Sequence, residues 1–98
     1  MAYIGYDPGK SARNLAERGL PFSLAERFDW ETALVAADDR REYGEDRYQA
    51  LGLIDGRLHA LVFTPRGSTV HVISLRKANR REQQGYEKAQ ARRDAYDP

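Results

Sequence analysis

The chain contains no cysteine, and that absence removes several classes of protein. Disulfide scaffolds, zinc fingers, iron–sulfur sites and thiol nucleophiles all need the missing residue. Histidine is nearly as scarce, with only His59 and His71. A catalytic zinc usually takes three protein ligands, so no metal and no cofactor are expected. Apolar runs are short, and none approaches the roughly 20 residues of a membrane span. The first residues lack the basic-then-apolar layout of a secretory leader. The expectation is a soluble cytoplasmic protein that does not touch a membrane. At 98 residues it should form one domain over 1–98, with a modest core.

Net charge is also missing, since 16 basic residues face 15 acidic ones. The balance hides an uneven distribution. Residues 26–46 hold eight acids (Glu26, Asp29, Glu31, Asp38, Asp39, Glu42, Glu45, Asp46) against Arg27, Arg40 and Arg41. Residues 66–81 hold Arg66, Arg76, Lys77, Arg80 and Arg81 with no acid. A concentrated basic stretch in a balanced chain suggests a local anion site, and arginine suits phosphate because its planar fork donates two parallel hydrogen bonds. A solvated basic face would give the same count.

Local signals place the elements. Asp7-Pro8 reads as N-cap and first position of a helix that continues through Lys10–Arg18 and stops at Gly19, with Pro21 beyond it. Ala12, Leu15 and Ala16 form its narrow apolar stripe. Ser23-Leu24-Ala25-Glu26 reads as the capping box of a second, short helix, with Phe22 as its staple. The period then changes to that of strands: Ala33–Ala37, Arg47–Ile54, Arg57–Thr64 and Thr69–Arg76. Asp55-Gly56 is a two-residue hairpin signal, and Pro65-Arg66-Gly67-Ser68 a four-residue turn. Asn79, with Glu82 three residues on, caps a last helix from about Arg80, whose end over 92–98 is expected to fray.

If both turns close symmetrically, one sheet face carries Leu51, Leu53, Leu58, Ala60, Val62, Ile73 and Leu75. The other carries Tyr48, Ala50, Ile54, Leu61, Phe63, Val70 and Val72. Both faces are apolar and both need cover. The N-terminal helices cover one, and the last helix, offering little beyond Tyr86 and Ala89, is too polar to cover the other. A partner protein is the expected remedy. On this register His59 shares a face with Ser74 and Arg76, and His71 shares the opposite one with Arg47 and Thr69. The fold class is α+β: two N-terminal helices, an antiparallel sheet of about four strands and a C-terminal helix.

Four ordered pieces resemble one known family. They are Tyr6-Asp7-Pro8-Gly9-Lys10 leading to Asn14-Leu15; Tyr43-Gly44-Glu45-Asp46-Arg47-Tyr48 with Leu51-Gly52; Val62-Phe63-Thr64-Pro65-Arg66-Gly67; and the run from Val72 to Glu82 followed by Tyr86-Glu87. Over roughly residues 4–88 they resemble the BrnT family of type II toxins, whose fold is similar to RelE-type ribonucleases. The resemblance implies a ribonuclease that arrests translation, silenced by a cognate BrnA-like antitoxin with a ribbon-helix-helix part. It also implies a hetero-oligomer that reaches operator DNA only through the antitoxin. Two positions depart from the family pattern. Ile4-Gly5-Tyr6-Asp7 stands where the family usually has Phe-x-Trp-Asp, and Glu17-Arg18-Gly19 where it usually has Lys-His-Gly.

Metal-independent RNA cleavage needs a base for the 2′-hydroxyl proton, cations for the charge on the phosphorane, and an acid for the 5′-oxygen. Arginine keeps its proton at working pH and fits the second role. Arg47, Arg66, Arg76 and Arg80 are the phosphate candidates. Glu45, the carboxylate that matches the family motif, is either a proton-transfer group or an ion-pair partner of Arg47. Lys10, Arg18, Lys77 and Arg81 are candidates for binding flanking RNA or solvated charges. Tyr48, Phe63 and Tyr86 could stack on bases or fill the core, and Tyr86 could instead meet the antitoxin.

Overall fold

The computed structural model describes residues 3–96. The chain runs β1 (Tyr3–Tyr6), α1 (Pro8–Arg18), a 3-10 helix (Phe22–Arg27), β2 (Leu34–Ala37), β3 (Tyr48–Ile54), β4 (Arg57–Arg66), β5 (Thr69–Lys77) and α2 (Arg80–Tyr96). The five strands form one sheet in the order β1-β5-β4-β3-β2. The α+β class is as expected, but the sheet is mixed and has five strands, because β1 joins β5 in parallel from Tyr3↔Thr69 to Tyr6↔Val72. That pairing joins segments far apart in the chain, so nothing near Tyr3 in sequence announces it. None of the helices among the described residues is long and apolar enough to cross a membrane.

The helix ends follow local rules. Asp7 accepts hydrogen bonds from the Gly9 and Lys10 amides at 2.8 and 3.1 Å, and Gly19 closes α1 at φ +73°. At α2, Asn79 and Glu82 cap one another's amides at 2.8 and 2.9 Å. The helix runs on to Tyr96, through most of the stretch expected to fray. The second helix departs from expectation. It is a 3-10 helix that begins at Phe22 without Ser23 as its cap, because Ser11 Oγ on α1 accepts from the Phe22 amide at 2.8 Å. Phe22 is not a surface staple but a fully buried core residue, set edge-on to Tyr6.

The face that α1 buries is polar. Ser11 and Asn14 turn inward, while Ala12, Leu15 and Ala16 are exposed. Asn14 Nδ2 donates to Leu20 O at 2.7 Å and to Leu75 O at 2.9 Å. The second bond has a clear cause: β1 ends opposite Val72, so the β5 carbonyls beyond it face no strand, and a buried carbonyl needs a donor.

The hairpin at Asp55-Gly56 closes as expected, with positive φ at both residues (50° and 80°) and Ile54 opposite Arg57. The next turn is shorter than expected. β4 continues through Pro65 and Arg66, so a two-residue turn at Gly67-Ser68 pairs Arg66 with Thr69. More consequential is a bulge between Val62 and Phe63: Val62 faces Ser74 while Phe63 faces Val72, leaving Ile73 as an extra residue. Because side chains alternate with period two, one extra residue inverts everything beyond it. Leu75 therefore joins Leu61 in the core, both fully buried, and Ser74 and Arg76 turn to the opposite face with Val62 and Ala60. His59 does not share a face with Ser74 and Arg76 as expected; it pairs with Lys77 on the core side. His71, before the bulge, keeps the face assigned to it.

The main core lies on the Leu61 and Leu75 side of the sheet, here the first face, where Ala50, Ile54, Leu61, Phe63, Val72 and Leu75 meet Leu20, Phe22, Ala25 and Phe28. On the second face α2 does cover part of the sheet: Tyr86 and Ala78 pack with Leu58, Leu34, Leu51 and Leu53. Tyr86 is thus a buried packing residue, its hydroxyl bonded to Thr32 at 3.2 Å, and Gln90 donates to Thr32 O. The rest of the second face stays open.

Candidate functional site

That open part is a cleft of about 480 Å³ lined by Arg18, Asp38, Arg40, Arg41, Tyr43, Arg47, Gln49, Val62, Ile73, Ser74 and Arg76. Five arginines surround one carboxylate. β5 supplies Ser74 and Arg76 through the bulge, α1 supplies Arg18, and the loop from β2 to β3 supplies the other three arginines.

The five guanidinium groups differ in how they are held. Arg76 makes a bidentate pair with Glu82, both bonds 2.8 Å, and Glu82 also caps α2, so the helix start and the cleft share one carboxylate. These bonds hold the Glu82 carboxyl below its ordinary range and raise Arg76. Arg40 chelates Asp38 at 2.7 and 2.9 Å, and the Asp38 side chain is only 3% exposed. Hydrogen bonds from Arg40 keep that carboxyl below its usual value. Arg18 Nη1 reaches Asn14 Oδ1, Leu75 O and Ser74 Oγ at 3.4 to 3.5 Å, a loose hold that turns it toward the sheet. Arg47 lies on the Tyr43 ring, 3.9 Å from its centroid, with its Nε buried and without a hydrogen-bond partner among the described residues. The Arg41 guanidinium also lies over the Tyr43 ring, at 5.7 Å.

The expected site residues divide accordingly. Arg18, Arg47 and Arg76 come together in the cleft. Glu45 and Arg66 lie beside it as an ion-pair chain, with Glu45 3.8 Å from Arg47 and 3.5 Å from Arg66. Glu45 lines a neighbouring hollow of about 390 Å³, built by the loop over 37–48, that shares Arg47. Arg80 and Arg81 stand exposed at the start of α2, and Lys10 on α1 is exposed too; none lines the cleft. Lys77 is exposed and registers with His59, on the other face from Arg76. His59 is buried, its Nδ1 against Arg57 O at 2.7 Å, and is a packing residue. His71 is lowered below 6.5, first by burial and then by the Arg66 charge, with Glu45 opposing. Phe63 is a core residue, stacked on Tyr48.

Charge counting missed Arg40, Arg41, Tyr43 and Gln49. The two arginines sit in the most acidic stretch of the chain, where a net count reads negative. Of those acids only Asp38 lines the cleft, where Arg40 chelates it, while Asp39, Glu42, Glu45 and Asp46 line the neighbouring hollow with Arg41 and Arg47.

A family model described as "ribonuclease toxin, BrnT, of type II toxin–antitoxin system" matches residues 6–82. This chain belongs to the BrnT family. The match spans the cleft's structural parts, from Tyr6 at the end of β1 to Glu82, which grips Arg76. Membership of the BrnT family brings with it the class of ribonuclease toxin in a type II system and a protein antitoxin as partner. No curated protein and no solved structure matches the chain.

Proposed function

We propose that this BrnT chain is an endoribonuclease that cleaves RNA without metal at the arginine cleft, and that it arrests growth in the cytoplasm until a BrnA-like ribbon-helix-helix antitoxin covers it. One observation carries this reading: five arginines converge on one open face, and Arg18, Arg41 and Arg47 have no carboxylate hydrogen-bonded to them among the described residues. Such a surface offers N–H donors to a phosphate at several angles.

In this mechanism the 2′-oxygen attacks the adjacent phosphorus and the bond to the 5′-oxygen breaks. The products are a 2′,3′-cyclic phosphate and a 5′-hydroxyl. Arg47 and Arg76 hold the non-bridging oxygens as charge builds in the phosphorane, with Arg18 closing the third side. Glu45, tethered between Arg47 and Arg66, takes the 2′-hydroxyl proton, and the departing 5′-oxygen takes its proton from water. Arg80, Arg81, Lys77 and Lys10 attract flanking phosphates at longer range.

The test is end-labelled RNA in excess EDTA with the purified chain. Cleavage should persist, and Arg47→Ala should lower it by about 10²–10³-fold, by analogy with loss of an oxyanion-hole donor. Cleavage that stops in EDTA and returns with a divalent cation overturns metal independence. A second reading rests on Arg18, which stands in the cleft where the family usually has histidine, so a titratable group is replaced by one that keeps its proton. In that reading the chain is a degenerate toxin that binds antitoxin and regulates its operon. Normal growth on full expression without partner, with arrest regained in Arg18→His, would establish it.

A further inference from the structure

Tyr43 meets three of the five cleft arginines at one phenol. Its ring carries Arg47 at 3.9 Å and reaches Arg41 at 5.7 Å, and its hydroxyl lies 3.5 Å from Asp38 Oδ2, the same oxygen that accepts Arg40 Nη2. The arrangement solves a specific problem. A guanidinium chelated by a carboxylate gives part of its N–H edge to it, as at Arg76, whereas Arg47, held on an aromatic face with Glu45 at 3.8 Å, keeps its charge and most of that edge. The buried Arg47 Nε makes no hydrogen bond among the described residues, so the ring and not a bond at Nε holds this guanidinium.

We propose that Tyr43 is the positioning residue of the cleft, holding Arg47 and Arg41 by its ring and the Asp38–Arg40 pair by its hydroxyl, so that these cations face an RNA phosphate. The inference deepens the RNA-cleft reading and rests on it for the identity of the anion. The positioning itself can be read without RNA.

Three chains are compared: wild type, Tyr43→Phe, which keeps the ring, and Tyr43→Leu, which keeps apolar bulk alone. In the RNA-free proteins the Arg47 Hδ and Hε resonances should sit upfield under the ring current in wild type and Tyr43→Phe, and return to ordinary positions in Tyr43→Leu. Ordinary positions in wild type overturn the proposal, whether or not the protein binds RNA. The second measurement is fluorescence anisotropy with a labelled single-stranded oligoribonucleotide over a salt series. Tyr43→Leu should weaken binding by about tenfold, the size of one partly desolvated cation–π interaction. It should also flatten the plot of log Kd against log salt by about 0.7 for each RNA phosphate that the displaced arginines no longer neutralise. A residue that only stabilised the fold would leave that slope unchanged. Tyr43→Phe should stay within a few-fold of wild type. Equal damage from Phe and Leu, or an unchanged slope in Leu, overturns the proposal. If wild type binds no RNA while the ring-current shifts are present, the RNA reading fails and the positioning stands.

Discussion

The two faces of the sheet are built from the same strands and have little else in common. One is dry and continuous, with Leu61, Leu75, Val72 and Phe63 closed over by Phe22, Ala25 and Phe28. The other is divided: α2 covers a small apolar patch around Leu58, and the rest is an open cleft ringed by arginine. Had β5 kept a plain alternation, Arg76 and Ser74 would lie in the core and Leu75 in the cleft. A single extra residue, Ile73, separates the two outcomes. The arginine-lined face is therefore a consequence of strand register as much as of composition.

The most forceful way to break the contrast is to exchange two residues beyond the bulge. Leu75→Arg with Arg76→Leu keeps the composition but puts the charge at a fully buried position opposite Leu61 and the leucine in the cleft. Burying an unpaired charge costs about 3–5 kcal/mol, and the displaced leucine adds to it, against a total stability for such domains of about 5–15 kcal/mol. The variant should fail to fold cooperatively, seen as loss of the urea transition and of dispersed amide resonances. A folded variant with native-like dispersion would show that the register beyond the bulge is not what separates the faces.

A smaller effect sharpens the comparison at the seam where α2 meets the cleft. Glu82 caps the helix and grips Arg76, so Glu82→Ala removes two hydrogen bonds to a charged group and one half of a capping box. The expected loss is about 2 kcal/mol in urea unfolding, since the pair is partly exposed and each part is modest. The linkage has a defined sign. The Glu82 carboxyl is lowered in the folded chain, so its contribution is present above its ordinary 4.5 and is lost as pH falls below that value. Glu82→Ala should remove part of the acid limb of the stability profile while leaving the neutral limb alone.

How much of this was legible in the sequence depends on the range of the interaction. Asp7-Pro8, Gly19, Asp55-Gly56 and Asn79 with Glu82 act over two to four residues, and each does what its local chemistry dictates. The capping reading failed at Ser23 because a hydroxyl eleven residues from Phe22, on Ser11, satisfies the Phe22 amide first. The apolar stripe of α1 failed for a related reason: Asn14 is drawn inward by the Leu75 carbonyl that β1 leaves unpaired, and Leu15 is left half exposed. Neither β1 nor the bulge has a local signature, since both are defined by a partner strand. The same limit shaped the site. Residue type and motif point to Arg18, Arg47 and Arg76, but Arg40, Arg41 and Tyr43 depend on a loop folding back over Ser74.

The smallest expected effect lies in the first half of β5, just before the bulge, where His71 stands opposite Thr64 and reports on the charge around it. Burial lowers it first, Arg66 and Lys10 lower it further, and Glu45 and Asp7 oppose them. Below its ordinary 6.5 the unfolded chain takes up a proton that the folded chain still resists, so stability falls as pH drops from 6.5 toward the lowered folded value. His71→Gln should flatten this limb and leave the one below 4.5 belonging to Glu82. The His71 ring-proton titration should have its midpoint below 6.5. Raising the salt should move that midpoint upward only by the share due to the exposed cations, because screening leaves the burial contribution untouched. A midpoint that stays fixed with salt would mean that the cationic character of the arginine cleft ends before His71. A midpoint above 6.5 would mean that the carboxylates of Glu45 and Asp7 govern that end of the sheet.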